Sequence, residues 1–202
     1  MLDVATFRKE LLYRRAESQA GYFTAGEAVD AGMDRATLRY HARSGGRYQQ
    51  VRRGLYRLRY FPSSPLEHVV AAWLPLRPAG AVVSHVSALE LYDLADVIPD
   101  AVHVSLLRAR RGQRPRPGVR IHTLERPPEP GEVRTVHGMP VTSPERSIMD
   151  CLTSGEQPEQ IVMAIGQAIE RGLTTPRRLR AAAANRADRI RGFTDDVLRQ
   201  ER

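Results

Sequence analysis

The side chains best equipped for chemistry in this chain are six histidines, one cysteine and a basic set made almost wholly of arginine. His41, His68, His85, His103, His122 and His137 invite a metal or acid–base reading, and His103 and His122 fall in segments that read as adjacent strands. No pair has the helical spacing of an HExxH zinc motif, and Cys151 has no second thiol with which to build a cage. The expectation is therefore no metal and no cofactor. Ser84 and His85 with Glu90, Asp93 and Asp96 offer a nucleophile, a base and an orienting acid, but no nucleophile-elbow glycine pattern surrounds the serine. Ser84, His85 and Ser87 read instead as capping and orienting the helix SALELYDL. A metal-dependent nuclease wants clustered carboxylates and, commonly, a lysine to polarise phosphate, and Lys9 is the single lysine. The chain does not read as an enzyme.

The arginines carry a different chemistry. Lys and Arg number 31 against 23 Asp and Glu, a net +8, and guanidinium forks suit phosphates and guanine edges. The charge is segmental: residues 1–60 hold 12 basic and 6 acidic groups, 61–107 hold 1 and 5, 108–126 hold 7 and 1, and 127–202 hold 11 of each. Two basic blocks around an acidic, apolar stretch point to two polyanion-facing surfaces on a structured body. With 202 residues, 42% of them hydrophobic, the chain can bury a core without staples. The lone cysteine and the lack of a signal-like or spanning apolar run predict a reducing, cytoplasmic setting and no membrane partner.

The elements that must position the first basic block follow from local signals. A helix from Leu2 to about Ser18 is expected, with Leu2, Val4, Thr6, Phe7, Leu11, Leu12 and Ala16 as its apolar set. Gly21 stops it, and Thr24 with Glu27 three residues on is a capping box for a short second helix through Ala28 to Gly32. Asp34 then caps a third helix, RATLRYHARSG, with Leu38 and Ala42 inward. That leaves Arg35, Thr37, Arg39, Tyr40 and Arg43 on the outer sides. RYQQVRRGLYRLR reads as a two-stranded ribbon turning near Arg53-Gly54, which makes helix, helix, helix and basic hairpin: a winged helix-turn-helix. Arg47, Arg52, Arg53, Arg57 and Arg59 stud the ribbon within reach of phosphates.

Beyond Pro62 a second domain is expected over residues 62–202, and the first over 1–61. LEHVVAAWLPL reads as a buried helix with Val69, Trp73 and Leu76 on one face; AVVSH, VHVSLL, VRIHTL and GMPVTS read as strands. SPERSIMDCL opens a helix capped by Ser143 with Pro144 first, burying Ile148 and Leu152, and three further helical stretches follow. The fold class is α+β, a winged helix-turn-helix followed by a mixed α/β domain. Between strands, LRARRGQRPRPG offers a second DNA contact through Arg110 and Arg111, with Arg108, Arg114 and Arg116, or a solvated loop.

The ordered set GYFTAGEAVDAGMDRATLRYHARSG, VRRGLYRL, SHVSALELYDL, VRIHTL and GMPVTSPERSIMDCL resembles the AbiEi-type antitoxins of type IV toxin–antitoxin systems, over about residues 20–175. The resemblance implies an antitoxin-type second domain, repression of the protein's own toxin–antitoxin operon, and a cognate nucleotidyltransferase-type toxin as partner. Read with the basic elements, it makes the expected function sequence-specific binding of double-stranded operator DNA, with inverted half-sites and two protomers per operator as the expected arrangement. Thr24, Arg35, Thr37, Arg39, Tyr40, Arg43, Arg47, Arg52, Arg53, Arg57, Arg110 and Arg111 are the expected DNA-facing residues. The competing reading is a protein-interaction module that antagonises a toxin, with DNA binding secondary; a nuclease-like enzyme is a distant third.

Overall fold

The computed structural model describes residues 4–94, 96, 99–108 and 117–200, with side chains from residue 8 onward. It is a mixed α+β chain of two compact units, Met1–Pro78 and Ala79–Arg202. Among the described residues no helix is long and apolar enough to cross a membrane.

The first unit runs α1 (Val4–Glu17), β1 (Tyr22–Thr24), α2 (Ala25–Asp30), α3 (Arg35–His41), β2 (Tyr48–Arg52), β3 (Leu55–Leu58) and α4 (Glu67–Trp73), followed by a 3-10 segment, Leu74–Ala79. The three strands form an antiparallel sheet in the order β1-β3-β2. β1 was not expected: only three residues long, it pairs Phe23 with Tyr56, more than thirty residues away. Leu12, Ala16, Phe23, Ala28, Leu38, Tyr48, Tyr56 and Leu58 form the core, with Phe23 stacked on Tyr56 at 5.7 Å and edge-on to Tyr48 at 5.0 Å. Leu11, expected inside, is 43% exposed, because Leu12 and Ala16 four residues apart already fill the inward stripe. The expectations for Leu2, Val4, Thr6 and Phe7 fall outside the described side chains.

The capping signals appear as drawn from the sequence. Glu27 N–H donates to Thr24 Oγ1 at 3.2 Å while Thr24 N–H donates to Glu27 Oε2 at 2.7 Å, the reciprocal pair that satisfies two otherwise orphaned donors. Asp34 Oδ1 accepts from the backbone N–H groups of Ala36 and Thr37. Gly32, with φ +85, makes the turn between the two helices in a conformation that favours glycine. α3 ends at His41, shorter than the expected RATLRYHARSG, because Gly45 and Gly46 follow and the chain turns into β2.

Residues 67–78 belong to the first unit, past the boundary expected at 61/62. The physical tie is a set of arginines: Arg57 pairs with Glu67 at 2.8 Å and donates to the Pro62 carbonyl, Arg52 bonds the Ala71 carbonyl, and Arg77 pairs with Glu27 at 2.8 Å. Val69, Trp73 and Leu76 are buried as expected.

The second unit holds β4 (Val82–Val83), α5 (His85–Leu91), β5 (Val102–Leu107), β6 (Val119–Leu124), β7 (Val133–Val136), β8 (Met139–Thr142), α6 (Pro144–Ser154), α7 (Pro158–Glu170), α8 (Pro176–Ala183) and α9 (Asp188–Gln200). Its sheet has the order β6-β5-β4-β8-β7, with β5–β6 and β4–β8 parallel and the other neighbours antiparallel. β7 was not read from the sequence, and AVVSH contributes only two strand residues. Ser143 caps α6 through its hydroxyl with Pro144 first, and Ile148 and Cys151 are fully buried, whereas Leu152 is half-buried. Ser84 stands at the N-cap of α5, but its hydroxyl bonds His85 Nδ1 and Ser105 Oγ rather than a helix N–H, which corrects the expected capping role.

A polar network braces α6. Glu132 receives Arg126, Arg146 and the Glu129 N–H, while Asp150, 5% exposed, receives Arg146 and Arg186. Burial pushes the Glu132 carboxyl up, but those donors outweigh it and hold it down at about 2. A carboxyl with a depressed folded value contributes stability above its ordinary range, and that contribution disappears as pH falls from about 4.5 towards 2. Glu132→Gln is therefore expected to show a smaller stability loss between pH 5 and pH 3 than the unmodified chain. Urea midpoints at the two pH values measure the difference; equal losses would contradict the assignment.

Candidate nucleic-acid interface

α3 turns Leu38 into the core at 2% exposure and leaves Arg35, Arg39 and Tyr40 outward, with Tyr40 62% exposed; Arg43, just past the Ala42 C-cap, is exposed as well. Arg39 Nε donates to the Arg35 carbonyl at 3.2 Å, and the Arg43 guanidinium lies 5.5 Å from the Tyr40 ring centre. These contacts lay the cations along the helix surface without neutralising them. Thr37 is half-buried and donates its hydroxyl to Asp34 Oδ2 at 2.6 Å. Thr24 Oγ1 is likewise committed to the Glu27 cap. Both hydroxyls carry local bonds that position the starts of α2 and α3.

The hairpin forms where the sequence placed it, with Gly54 at φ +79 in its turn. Of the five arginines expected on it, Arg47 and Arg53 are exposed. The other three are drawn inward, against the expectation that they reach phosphates. Arg57 keeps only 12% of its side chain exposed, paired with Glu67 and lying over the Tyr22 ring. Arg52 bonds the Ala71 carbonyl. Arg59 donates to the carbonyls of Arg43, Gly46 and Tyr48, clamping the connection between α3 and β2. The reason is chemical: a guanidinium has five donors, and a half-buried one must find acceptors. Arg59 thereby fixes the hairpin to the end of α3, a contact reinforced by His41 edge-on to Tyr48 at 5.9 Å.

Arg35, Arg39, Arg43, Arg47 and Arg53 remain exposed, and among the described residues none has a carboxylate partner. Exposed Gln49 and Gln50 on β2 lie between them in sequence. Neither stands out by charge, and no alternation marks them, because Gln49, Gln50 and Val51 are exposed in succession. Arg110 and Arg111, with Arg114 and Arg116, lie outside the described residues; Arg108 at the start of that loop pairs with Glu125 at 2.8 Å.

Gly54 also tests the hairpin. A side chain there would meet no atom within 4 Å, but the φ of +79 strains any β-branched residue by on the order of 1–3 kcal/mol. Its carbonyl accepts the Ala25 N–H at 2.9 Å, joining the hairpin turn to the start of α2. Gly54→Val is expected to lower stability in that range, whereas Gly54→Asn, which tolerates positive φ, stays near the unmodified chain. Equal urea midpoints for both variants would remove the turn from position 54.

This order of helix, strand, two helices and hairpin is consistent with a winged-helix regulator domain. Residues 10–59, spanning α1 through β3 in part or whole, match the family described as transcriptional regulator, AbiEi antitoxin. The resemblance read from the sequence holds over that segment, and the family is one of antitoxins that act as transcriptional regulators. The fold as a whole is similar to the crystal structure of the Rv2827c protein from Mycobacterium tuberculosis, with a TM-score of 0.61 and 15% identity over 97% of this chain and 77% of that one. No curated protein sequence matches the chain.

Proposed function

We propose that residues 1–78 form a winged helix-turn-helix that binds operator DNA, and that the chain is an antitoxin repressing its own toxin–antitoxin operon and countering the cognate toxin. The observation that carries this reading is the set of exposed arginines without carboxylate partners on α3 and the hairpin. α3 would enter the major groove, where Arg35, Arg39 and Arg43 with Tyr40 meet base edges and phosphates. Arg47 and Arg53 would meet the flanking backbone, which positions without specifying. Arg52, Arg57 and Arg59 tie the hairpin to its neighbours, and Thr24, Asp34 and Thr37 hold the starts of α2 and α3. Inverted half-sites bound by two protomers are the expected operator form, and no catalytic step is assigned.

A transcriptional reporter driven by the DNA upstream of the protein's own gene tests this, together with survival of cells expressing the neighbouring toxin gene. Arg39→Ala is expected to relieve repression while leaving toxin antagonism intact. Undiminished repression would refute the assignment of α3. Loss of both activities in a folded variant would favour the interaction-module reading.

A further inference from the structure

The second unit gathers three histidines that are far apart in sequence. His103 on β5 and His122 on the parallel neighbour β6 approach with His103 Nδ1 and His122 Nε2 3.2 Å apart. His85, entering from the β4–α5 junction, stacks on His122 with ring centres 3.5 Å apart. One ring nitrogen from each of the three lies within 4.8 Å of the others. His85 and His103 are buried and His122 is half-buried, so the cluster is shielded yet reachable from one side.

We infer that His85, His103 and His122 bind a divalent late first-row transition ion such as zinc. Zinc–imidazole bonds of about 2.0–2.1 Å in a tetrahedron place neighbouring nitrogens about 3.3 Å apart, close to the 3.2 Å already separating His103 Nδ1 from His122 Nε2. His85 completes the set when its ring turns out of the stack on His122, because imidazole planes 16° apart with centres 3.5 Å apart do not aim both lone pairs at one ion. Its Nδ1 is engaged by Ser84 Oγ at 2.9 Å, and Ser84 Oγ in turn accepts from Ser105 Oγ at 2.8 Å. With Nδ1 engaged, Nε2 is the ring atom left for a ligand, and Ser84 is the kind of outer partner that metal-ligating histidines use. His103 is seated by its own N–H donating to Ser87 Oγ at 3.0 Å.

Two further facts favour a ligand. His85 holds a φ of +54, a conformation uncommon for residues other than glycine, which persists only where the surroundings enforce it. The donor set is purely imidazole, a composition that suits zinc, copper or nickel and not magnesium or calcium. The nearest arginines do not repel the ion unopposed, because Arg146 and Arg186 are both paired with Asp150 and Arg120, which faces His103 and His122, lies 3.6 Å from Asp100. Three protein nitrogens leave a fourth tetrahedral position for water. The ion would join β5, β6 and the start of α5, so binding should stabilise this unit.

The test uses the untagged full chain. Cobalt(II) is added as a spectroscopic probe, and zinc affinity is measured by competition with a chromophoric chelator. One equivalent per chain is expected, with the intense visible bands of tetrahedral cobalt and a rise in thermal midpoint on adding zinc. His122→Asn, at the half-buried position, is expected to weaken binding by on the order of 100-fold or more and to abolish the thermal shift while keeping the circular dichroism of the unmodified chain. His68→Asn and His137→Asn are expected to change neither. Absence of tetrahedral cobalt bands in the unmodified chain would overturn the proposal, as would zinc affinity undiminished in His122→Asn. Because the unmodified chain supplies the first readout, a variant that fails to fold does not decide the outcome.

Discussion

Glu27→Ala is expected to destabilise the first unit by about 2–3 kcal/mol. Glu27 is 3% exposed, and its carboxylate closes the capping box on Thr24 while pairing with Arg77 at 2.8 Å. Breaking a buried pair costs about 3–5 kcal/mol when the surviving charge is trapped. Arg77 is 41% exposed and can turn towards water, which reduces that penalty. The lost cap adds about 1 kcal/mol. The change also releases the second grip of Arg77, which donates to Gln19 Oε1 at 2.7 Å, so the link from residue 77 back to the α1–β1 turn loosens as well. Trp73, the single tryptophan, lies 5.8 Å beneath the Arg77 guanidinium and reports on this region by fluorescence. Urea titration followed at Trp73 should show the lowered midpoint, and Glu27→Gln should lose less by retaining an acceptor. A shift under 0.5 kcal/mol, roughly the scale of an ordinary surface substitution, would contradict the described network.

The second large effect falls on DNA. Combined Arg35→Ala, Arg39→Ala and Arg43→Ala should leave stability nearly unchanged, since all three side chains are exposed and lack carboxylate partners. Affinity for the preferred duplex should fall by about 1,000-fold or more, because each lost base-edge contact is worth about 1–3 kcal/mol. The salt dependence separates roles: each phosphate contact contributes about −0.9 to the slope of log K against log salt concentration. If all three arginines met phosphates, the slope would shrink by about 2.7; if they read bases, discrimination would vanish with a smaller change in slope. Arg57→Ala is the contrast, because its guanidinium is spent on Glu67 and Pro62. It should lower stability and leave the slope as it was. A triple variant with undiminished affinity, measured by fluorescence anisotropy at fixed salt, would remove α3 from the interface.

What was legible in the sequence follows the range of the interactions involved. The starts of α2 and α3 could be read because Thr24, Glu27 and Asp34 act on backbone groups no more than three residues away. The hairpin turn could be read because Arg53-Gly54 sits between two short runs that carry tyrosine, valine and leucine. β1 could not, since its three residues gain strand character only by pairing with Leu55, Tyr56 and Arg57. The inward contacts of Arg52 and Arg57 are hidden in the sequence for the same reason: their acceptors at Pro62, Glu67 and Ala71 are brought near by the fold, and a charge count sees only cations. Thr24 and Thr37 are visible in the sequence as polar groups, and the fold adds that Glu27 and Asp34 engage their hydroxyls. His103 and His122 could be paired from strand order, whereas His85 joins them only through the placement of α5 beside the sheet.

The central claim is that this chain reads duplex sequence through α3 and its hairpin. Selection of bound duplexes from a random pool by the purified full chain, followed by sequencing, measures it most directly. The account predicts a sharp motif of two inverted half-sites about one helical turn apart, lost when Arg35, Arg39 and Arg43 are replaced by alanine. A flat sequence profile from the unmodified chain would contradict it.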